Sequence, residues 1–408
     1  MARAAAEGRV AQDHVRIAIV TEHYYPQLGG ITEHVYGQAN ELARRGHEVT
    51  VVAPTLLGAR KAVEDAPPRP EIFEVKRLGV ALPIYINGSE AVVEVGPFLA
   101  SGFGRLYAER AFDVVHVHNP FGVTMPTIAI MRSKAPVTVA TIHSVVPEAY
   151  RPLRLFRPLL NVLFGHLDAM VAVSSAVVDS IQPHFPWLNF EVVPNGVDTN
   201  FFSPEAEPLE ELRDGRHNIL FIGRFDPRNG LKYMLKAFIL LRERRDDVRL
   251  IVIGDGPLRE VYRRMVPPEL RSDVLFKGQV DRLRPRYLAS ADVLCTPCQL
   301  ASFGMVLLEA MSAGVAVVAS RNSGFNLLVE DGVQGLLIDP PKDEEQFAAA
   351  LDLLLEHPDV ARRMGAAGRE RAVSTYEWPV IADQLEALYE RLLTAAGPGR
   401  KPAAMHVQ

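Results

Sequence analysis

The chain has 408 residues, a length that favours two domains, and 48% of them are hydrophobic, which is enough for two cores. Its 44 basic and 49 acidic residues give a net charge of −5, so bulk charge offers no argument for a nucleic-acid partner. No apolar run reaches the length of a membrane span, and residues 1–14 lack the apolar core of a secretion signal. We expect residues 1–14 and 395–408 to be disordered.

The chain opens with a strand–helix–strand pattern. The β-branched run Val15–Val20 predicts a buried strand, Ile31–Arg45 predicts an amphipathic helix, and Glu48–Ala53 predicts a second strand. Gly29 and Gly30 precede the helix, where a backbone without side chains can approach a ligand closely. A tight turn explains the same pair equally well, and the G-x-G-x-x-G dinucleotide fingerprint is absent.

Two later strands end in histidine. Asp113–His118 predicts a strand whose alternation points His116 and His118 to the same face. Ligands bind at the carboxyl ends of strands in doubly wound sheets. His118 is therefore either a neutral hydrogen-bond donor to a ligand or a structural residue that closes a loop. Val137–Ile142 predicts a further strand, and His143 after it is a weaker candidate.

A helix that is both basic and apolar is predicted at Ala149–Leu167. Its arginines lie among leucine and phenylalanine residues; they are Arg151, Arg154 and Arg157. Such a helix is either a cationic exposed face or a segment that contacts a membrane surface. An earlier segment, residues 97–110, is a poorer membrane candidate because Glu109 offsets its arginines.

A second strand–helix series begins after a linker. Ser203–Arg216 is rich in proline and acidic residues, as linkers often are. Ile219–Ile222 then predicts a strand, Gly223 and Arg224 follow it, and Leu231–Arg244 predicts a helix. Arginine is permanently charged and can bond in a bidentate manner, so Arg224 at a strand end would face an anionic ligand. A surface ion pair is the alternative.

The segment Leu294–Ala319 contains a strand, a loop, a helix and another strand. The helix is predicted at Phe303–Ser312, and the second strand at Val315–Ala319. Ser302 and Gly304 lie beside the start of this helix. Free backbone N–H groups and the positive end of the helix dipole make such a place attractive to phosphate.

Polar and sulfur-containing side chains in this segment are expected to be buried. Glu309 lies in the apolar helix, where a carboxylate needs a partner such as a pair of hydroxyl groups. Cys295 and Cys298 straddle the end of the preceding strand. Two cysteines at this spacing either pack in a core or act in redox chemistry, and the strand position favours packing. They are too few for a disulfide framework, which suits a reducing cytoplasm.

These motifs, in this order, resemble the retaining glycosyltransferases of family 4. The donor-site signature of that family is a glutamate, then S-F-G, then a second glutamate eight positions after the first. Here Ala301 stands at the first position and Glu309 at the second. The runs P-x-x-G-G, D-V-V-H-V-H-x-P, G-R and V-L-F-K-G-Q-V also match, as does the interdomain hinge V-V-P-N-G-V-D at residues 192–198.

The resemblance implies an α/β protein with the GT-B fold. That fold has two doubly wound Rossmann-like domains facing a cleft, and a C-terminal helix that crosses back to the first domain. We expect the N-terminal, acceptor-side domain at residues 15–200 and the nucleotide-sugar-binding domain at residues 201–376. The crossing helix is expected at residues 377–394.

The resemblance also implies roles for individual residues. His118 would bond the donor sugar, Arg224 would balance the charge of the leaving diphosphate, and Glu309 would hold the nucleotide ribose. No acidic D-x-D pair for a metal stands at either donor strand end, so we expect neither a metal nor another cofactor. The further donor-binding candidates are Gly29, Gly30, Gly223, Arg228, Asn229, Lys232, Gly278, Val280, Ala301, Ser302, Phe303, Gly304, Met305 and Val306. The acceptor-side candidates are Tyr24, Tyr25 and His143.

A narrower resemblance concerns residues 71–95, which predict short strands around a turn at residues 86–89. The runs P-I-Y-I-N-G-S and V-G-P-F in this region are similar to the phosphatidylinositol mannosyltransferases of family 4. This implies a GDP- or UDP-hexose donor, GDP-mannose in particular, and a lipid head group or a glycan as acceptor. The enzyme would work in the cytoplasm, with peripheral contact to the inner membrane surface as an option, and without a nucleic-acid partner.

Two donor-site positions depart from the family pattern. Ala301 replaces the first glutamate, and Asn229 stands where the family has a lysine that holds the diphosphate. Losing a carboxylate bond to a sugar hydroxyl costs on the order of 1.5–3 kcal/mol, or roughly ten- to a hundredfold in rate. The alternative function is therefore a nucleotide-sugar-binding protein with impaired transfer. A phosphorylase or an epimerase of the same fold has less support.

Overall fold

The computed structural model describes residues 14–56, 69–86, 89–95, 99–121, 124–146 and 151–397. The predicted turn residues 87–88 lie outside these ranges, as do residues 1–13 and 398–408, which were expected to be disordered, and residues 149–150 of the predicted basic helix. Within the described ranges the chain forms two sheets. The first is built before residue 193 and the second after residue 216.

The first sheet has eight strands in the order β4-β3-β2-β1-β5-β6-β7-β8. All neighbouring strands are parallel except the hairpin of β3 and β4. The strands are β1 (Arg16–Val20), β2 (Glu48–Leu56), β3 (Glu74–Ile86), β4 (Ser89–Val95), β5 (Val114–His118), β6 (Val137–Ile142), β7 (Ala169–Ala172) and β8 (Phe190–Val192). The helices that connect them are α1 (Gly30–Arg44), α2 (Leu99–Glu109), α3 (Met125–Arg132), α4 (Arg151–Phe164) and α5 (Ser175–Ile181).

The second sheet has six strands, all parallel, in the order β11-β10-β9-β12-β13-β14. The strands are β9 (His217–Ile222), β10 (Val248–Ile253), β11 (Val274–Gly278), β12 (Val293–Thr296), β13 (Ala316–Ser320) and β14 (Gly335–Ile338). Its helices are α6 (Leu231–Arg242), α7 (Arg259–Met265), α8 (Arg284–Ala289), α9 (Met305–Ser312), α10 (Phe325–Leu328), α11 (Glu344–Glu356) and α12 (Pro358–Tyr376).

Burial explains why the central strands are mostly apolar and do not alternate between apolar and polar residues. Helices cover both faces of a parallel sheet, so its central strands read as continuous β-branched runs rather than as alternating ones. β5, β6, β10 and β13 are buried at every position. Cys295 and Cys298 are both free and buried. We propose residue 200 as the boundary between an N-terminal and a C-terminal domain, since it lies between the two sheets.

The last helix, α13 (Trp378–Ala396), crosses back to the N-terminal domain. The hydroxyl of Tyr389 lies 2.6 Å from Nδ1 of His116, and Arg45 donates to Asp383 of this helix at 2.7 Å. The helix continues two residues beyond the predicted end and stops before Gly397, whose φ of 63° lies in the left-handed region. The expected disorder from residue 395 is therefore wrong for residues 395 and 396.

The two domains meet along a closed cleft. The backbone N–H of Val145 donates to the Ser302 hydroxyl at 2.9 Å, and the Ser174 hydroxyl donates to the Ser302 carbonyl at 2.6 Å. A side chain added at Gly30 would approach Cγ of Met305 to 3.2 Å, so backbone and side chain already meet across the cleft there. None of the helices in the described ranges combines the length and apolar character that a membrane span requires.

Trp378, at the start of the crossing helix, packs against Gly37 of α1. A Cβ atom built at Gly37 would lie 2.0 Å from Nε1 of Trp378. We therefore expect Gly37→Ala to displace the indole and to lower the free energy of unfolding by roughly 1–3 kcal/mol, measured by chemical denaturation. Gly104→Ala in α2 is the matched control, because a Cβ atom there meets nothing within 4 Å. It should stabilise the protein by about 0.5–1 kcal/mol through helix propensity. Equal midpoints for the two variants would contradict this account of the packing.

Candidate active site

Three histidines meet at the carboxyl ends of two neighbouring strands. His118 ends β5, His143 directly follows β6, and β5 pairs with β6, so the topology brings both imidazoles together. Nδ1 of His118 lies 2.7 Å from Nε2 of His143, and one of these two nitrogen atoms carries the proton. His34 from α1 completes the cluster, with its ring centroid 4.9 Å from that of His143.

The imidazoles of this cluster are neutral at physiological pH. Burial lowers the pKa of His34 to about 4 and holds the pKa values of His118 and His143 well below the usual range. The side chain of His118 is almost fully buried, and its Nε2 has no hydrogen-bond partner in the part of the chain that the structure describes. A neutral imidazole with one free nitrogen can bond a sugar hydroxyl without bringing a charge into the cleft.

His116 has a structural environment. Its Nδ1 lies against the Tyr389 hydroxyl, and its Nε2 lies 2.5 Å from the hydroxyl oxygen of Thr141. Its ring stacks on that of His118, with the centroids 4.7 Å apart. Both ring nitrogens of His116 are therefore occupied, and its contacts fix the orientation of His118.

The same cluster contains the side chains that could hold a metal ion. Within the described ranges, one group has ligand atoms all within 4.8 Å of one another, and it consists of His34, His118 and His143. Neutral imidazoles are ordinary ligands of transition metals. The sequence-based expectation that the reaction needs no metal stays a prediction.

The S-F-G motif lies at the start of α9, as predicted, although the helix begins at Met305 rather than at Phe303. Gly304 is the residue before the helix, with a φ of 122° that favours glycine, and no side chain caps the helix start. Phe303 is buried, whereas Ala301 and Val306 are partly exposed. The hydrogen bond from Val145 places the His118–His143 pair and the start of α9 at the same part of the cleft.

Arg224 lies at the carboxyl end of β9 and approaches Asp226, with Nη2 3.5 Å from the carboxylate. The side-chain amide of Asn229 donates to the carbonyl of Arg224 at 3.0 Å, so Asn229 holds the loop and does not carry a charge into the cleft. Arg228 and Lys232 are exposed beside this loop. Burial lowers the pKa of His23 in the N-terminal domain, and the positive charge of Arg224 lowers it further.

Glu309 is fully buried and is bonded to an arginine that sequence reasoning missed. Nη1 of Arg284 donates to Oε1 of Glu309 at 2.7 Å, and Nη2 of Arg284 donates to Glu33 of the N-terminal domain at 2.8 Å. Asp281 accepts a further bond from Arg284 at 3.2 Å. A partner such as a pair of hydroxyl groups was expected for Glu309, and the structure supplies a guanidinium group instead. The D-R-L-R run after β11 was the available signal, since it supplies cations beside a strand end.

Buried charges of both signs surround Arg284. The carboxylates of Glu33, Asp281 and Glu309 form ion pairs with the guanidinium groups of Arg69 and Arg284. Burial raises the pKa values of Glu33 and Glu309, and Arg284 opposes this increase. Oε2 of Glu309 is buried and has no hydrogen-bond partner within the described residues.

The predicted acceptor-side tyrosines are engaged in hydrogen bonds. Tyr24 is buried and donates to Glu71 at 2.7 Å, and Tyr25 donates to Glu33 at 2.8 Å. These hydrogen bonds direct neither hydroxyl group at the His118 cluster.

Among the other predicted residues, Gly278 and Val280 are buried at the end of β11, and Gly223 follows β9. A Cβ atom at Gly29 would meet nothing within 4 Å, so open space lies beside that backbone.

The chain is similar to known proteins over almost its whole length. The family model described as Glycosyltransferase Family 4 matches residues 28–201. The family model described as Glycosyl transferases group 1 matches residues 204–371. A phosphatidyl-myo-inositol mannosyltransferase of Mycobacterium tuberculosis is 33% identical over 95% of this chain and 99% of that protein. The corresponding protein of Mycolicibacterium smegmatis is 34% identical, over 95% and 96%.

Solved structures show the same fold at lower identity. The sucrose-phosphate synthase of Thermosynechococcus elongatus superposes with a TM-score of 0.72 at 20% identity, over 94% of this chain and 100% of that one. HepE from Anabaena in complex with UDP-glucose gives a TM-score of 0.72 at 18% identity, over 93% and 100%. Two Rossmann-like sheets and a helix that crosses back define an enzyme of the GT-B glycosyltransferase fold. The chain belongs to glycosyltransferase family 4.

The buried histidines predict a dependence of stability on pH. Burial lowers the pKa of His116 to about 3, so below about pH 6.5 the unfolded chain binds protons that the folded chain does not. Each such histidine should reduce the free energy of unfolding by about 1.4 kcal/mol per pH unit as the pH falls from about 6 to 5. Glu33 and Glu309 oppose this trend, because their raised pKa values let the folded chain bind extra protons in the same range.

The variant His116→Gln isolates one such contribution, since the carboxylates are unchanged. We expect its unfolding free energy, measured by chemical denaturation, to fall less steeply with decreasing pH than that of the parent chain, by about 1.4 kcal/mol per pH unit. Tyr389→Phe is the control. It removes the hydroxyl beside His116 but keeps the imidazole, so it should lower stability similarly at each pH. An unchanged slope in His116→Gln would show that this histidine is not held neutral.

Proposed function

We propose that the enzyme transfers mannose from GDP-mannose, with retention and without a metal, to the head group of a phosphatidylinositol-type lipid on the cytoplasmic side of a membrane. The observation that carries the proposal is the position of the neutral His118, with its free Nε2, beside the start of α9. His118 would bond the donor sugar, while Arg224 and the N-terminus of α9 would stabilise the charge that develops on the leaving diphosphate.

The donor and the acceptor are argued from the relatives. One further relative, from Mycobacterium tuberculosis, is described as a GDP-mannose-dependent alpha-(1-6)-phosphatidylinositol monomannoside mannosyltransferase, and it is 30% identical over 91% of this chain and 97% of that protein. The family resemblance implies that the leaving phosphate deprotonates the acceptor hydroxyl. No side chain of this chain is then required as a general base, which agrees with the low pKa values of the cleft histidines.

Glu309 is proposed to hold the nucleotide ribose through Oε2. This oxygen atom lacks a partner, whereas Oε1 accepts from Arg284. A ribose hydroxyl at Oε2 would satisfy a buried acceptor that otherwise costs about 1–3 kcal/mol. Arg284 orients Glu309 through Oε1, so we propose that both residues contribute to nucleotide binding.

The second candidate function is nucleotide-sugar binding with impaired transfer. The observation that favours it is that the Asn229 amide bonds the Arg224 carbonyl, at the position where a family lysine would contact the diphosphate. Arg228, which is exposed on the same loop, is the cation proposed to compensate. The two candidates predict the same nucleotide affinity and differ in turnover.

The proposal is tested by calorimetric titration with GDP, UDP and ADP, followed by turnover of GDP-mannose with phosphatidylinositol vesicles. We expect GDP to bind most tightly, and turnover to survive chelation of metal ions by EDTA. Arg224→Met should reduce kcat/KM by about a hundredfold or more, which is the loss of one electrostatic contact to the leaving group. Arg244→Met, an exposed arginine near the C-terminal end of α6, is the matched control and should retain activity. Absence of nucleotide binding would reject both candidates, and binding without turnover would favour the second.

A substitution at position 301 tests whether the absence of the family glutamate limits the rate of sugar transfer. Ala301→Glu restores the family carboxylate beside Ser302, so we expect kcat/KM for GDP-mannose to rise roughly ten- to a hundredfold. Ala301→Gln controls for side-chain size, since it adds a comparable volume without a charge. A rate that is unchanged or lower in Ala301→Glu would mean that a simple lost contact does not explain Ala301.

A further inference from the structure

The imidazoles of His34, His118 and His143 converge from three different elements, and we call these residues the three-histidine cluster. His34 lies in α1, His118 ends β5, and His143 directly follows β6. The ring centroids of His34 and His118 are 5.4 Å apart, and those of His118 and His143 are 5.0 Å apart. One ring nitrogen of each residue can be chosen so that all three lie within 4.8 Å of one another.

Two nitrogen atoms of the three-histidine cluster lack hydrogen-bond partners. Nδ1 of His34 and Nε2 of His118 are buried, and neither has a partner among the described residues. Where Nδ1 of His118 meets Nε2 of His143 at 2.7 Å, only one of the two carries the proton, so the other already presents a lone pair. A buried polar atom without a partner is unfavourable unless a ligand satisfies it.

The histidine beside the cluster has no such unused capacity. Both ring nitrogens of His116 are engaged, one by the hydroxyl of Tyr389 and the other by the hydroxyl of Thr141. The ring of His116 stacks on that of His118 with 14° between the ring planes, and this contact fixes the orientation of His118. A histidine with a purely structural role is expected to be bonded as His116 is, so the unpartnered nitrogens of the cluster indicate a ligand site.

Three imidazole nitrogens at this spacing are the donor set of a transition-metal ion. Zn²⁺ binds imidazole nitrogen at about 2.0–2.1 Å, and tetrahedral geometry then separates the nitrogens by about 3.3 Å. The closest nitrogens of the cluster are 2.7 Å apart and the chosen three lie within 4.8 Å, so small ring rotations would reach that separation. A proton shift to the other nitrogen of the same ring frees the second lone pair between His118 and His143. Imidazole donors suit Zn²⁺, Cu²⁺ and Ni²⁺, whereas Mg²⁺ and Ca²⁺ prefer oxygen ligands.

We propose that the three-histidine cluster binds Zn²⁺ and that the bound ion inhibits the enzyme. Three protein ligands leave a fourth coordination position for water, as in open zinc sites. His143 is 8% exposed, whereas His34 and His118 are 2% and 1% exposed, so the ion would enter beside His143. An ion on His118 would occupy the imidazole that bonds the donor sugar, while Arg224 and Glu309 would still contact the nucleotide. The inhibition, but not the binding of the ion, rests on the proposed function.

Binding is tested on the full chain without an affinity tag, by competition with a chromogenic chelator for Zn²⁺ and by the visible absorption of bound Co²⁺. We expect His34→Gln to raise the Kd for Zn²⁺ by about a hundredfold or more, since even the loss of an outer-shell partner costs about ten- to a hundredfold. His143→Gln, at the more exposed edge of the cluster, should give the same loss with less effect on folding. His357→Gln removes an exposed histidine before α12, so it is the matched control and should bind as the parent chain does. An excess of Mg²⁺ should not compete.

The denaturation midpoint gives a readout that is independent of activity. Zn²⁺ should raise the midpoint of the parent chain and of His357→Gln, because the ion binds the folded cluster and not the unfolded chain. It should leave the midpoints of His34→Gln and His143→Gln unchanged. The midpoints without metal show whether each variant is folded.

Inhibition is tested by turnover of GDP-mannose at free Zn²⁺ concentrations that a chelator buffer sets. At saturation we expect kcat/KM to fall about tenfold or more, which is the loss of at least one hydrogen bond to the reacting sugar. The Kd for GDP should stay the same, since the ion does not occupy the nucleotide contacts. EDTA should restore the rate.

Each outcome distinguishes the metal site from the proposed function. Zn²⁺ that binds the parent chain no more tightly than His34→Gln and His143→Gln would overturn the site, and mannose transfer by the same parent chain would leave the function standing. Binding that both variants lose, without mannose transfer under any condition, would support the site and reject the function. Binding at the cluster with undiminished turnover would overturn the inhibition. Turnover that EDTA abolishes and Zn²⁺ restores would also overturn it, because the ion would then be a cofactor.

Discussion

The arrangement of the cleft depends on the guanidinium group of Arg284, which joins carboxylates of both domains. It bonds Glu33 of α1 and Glu309 of α9, and both of these carboxylates are buried. Charges taken out of water are costly, so such a network is stable only while its partners are present, and removal of one partner leaves an uncompensated charge. The closure of the cleft and the orientation of Glu309 are therefore coupled through one side chain. A ligand that bonds Oε2 of Glu309 would strengthen the same network rather than compete with it.

The crossing helix has a comparable influence on the histidines. Tyr389 of α13 contacts His116, which stacks on His118, and His118 in turn bonds His143. The end of the chain thus determines the orientation of a cluster that the N-terminal sheet supplies. Burial keeps these imidazoles neutral, which suits hydrogen bonding to a sugar and leaves the charge of the leaving group to be balanced by Arg224 and the helix dipole.

The departures at positions 229 and 301 have different structural consequences. Asn229 stabilises the loop, since its side-chain amide donates to the carbonyl of Arg224. A lysine at this position would remove that hydrogen bond. Ala301 makes no comparable contact and lies partly exposed beside Ser302. A glutamate could therefore be accommodated at position 301 more readily than a lysine at position 229.

The order of strands and helices along the chain could be predicted from the sequence, because continuous β-branched runs and amphipathic helices are local patterns. The start of α9 was predicted to within two residues. The sequence also indicated His118 and His143 as candidate site residues, since His118 ends a strand and His143 directly follows one. The partner of Glu309 could not be predicted in this way, because Arg284 and Glu33 are far apart in the chain and come together only through the packing of the two domains. His34 was missed for the same reason. Its position in a helix does not indicate that it packs against the histidines at the ends of β5 and β6. Contacts between residues distant in sequence depend on packing of the whole chain, which no local pattern records.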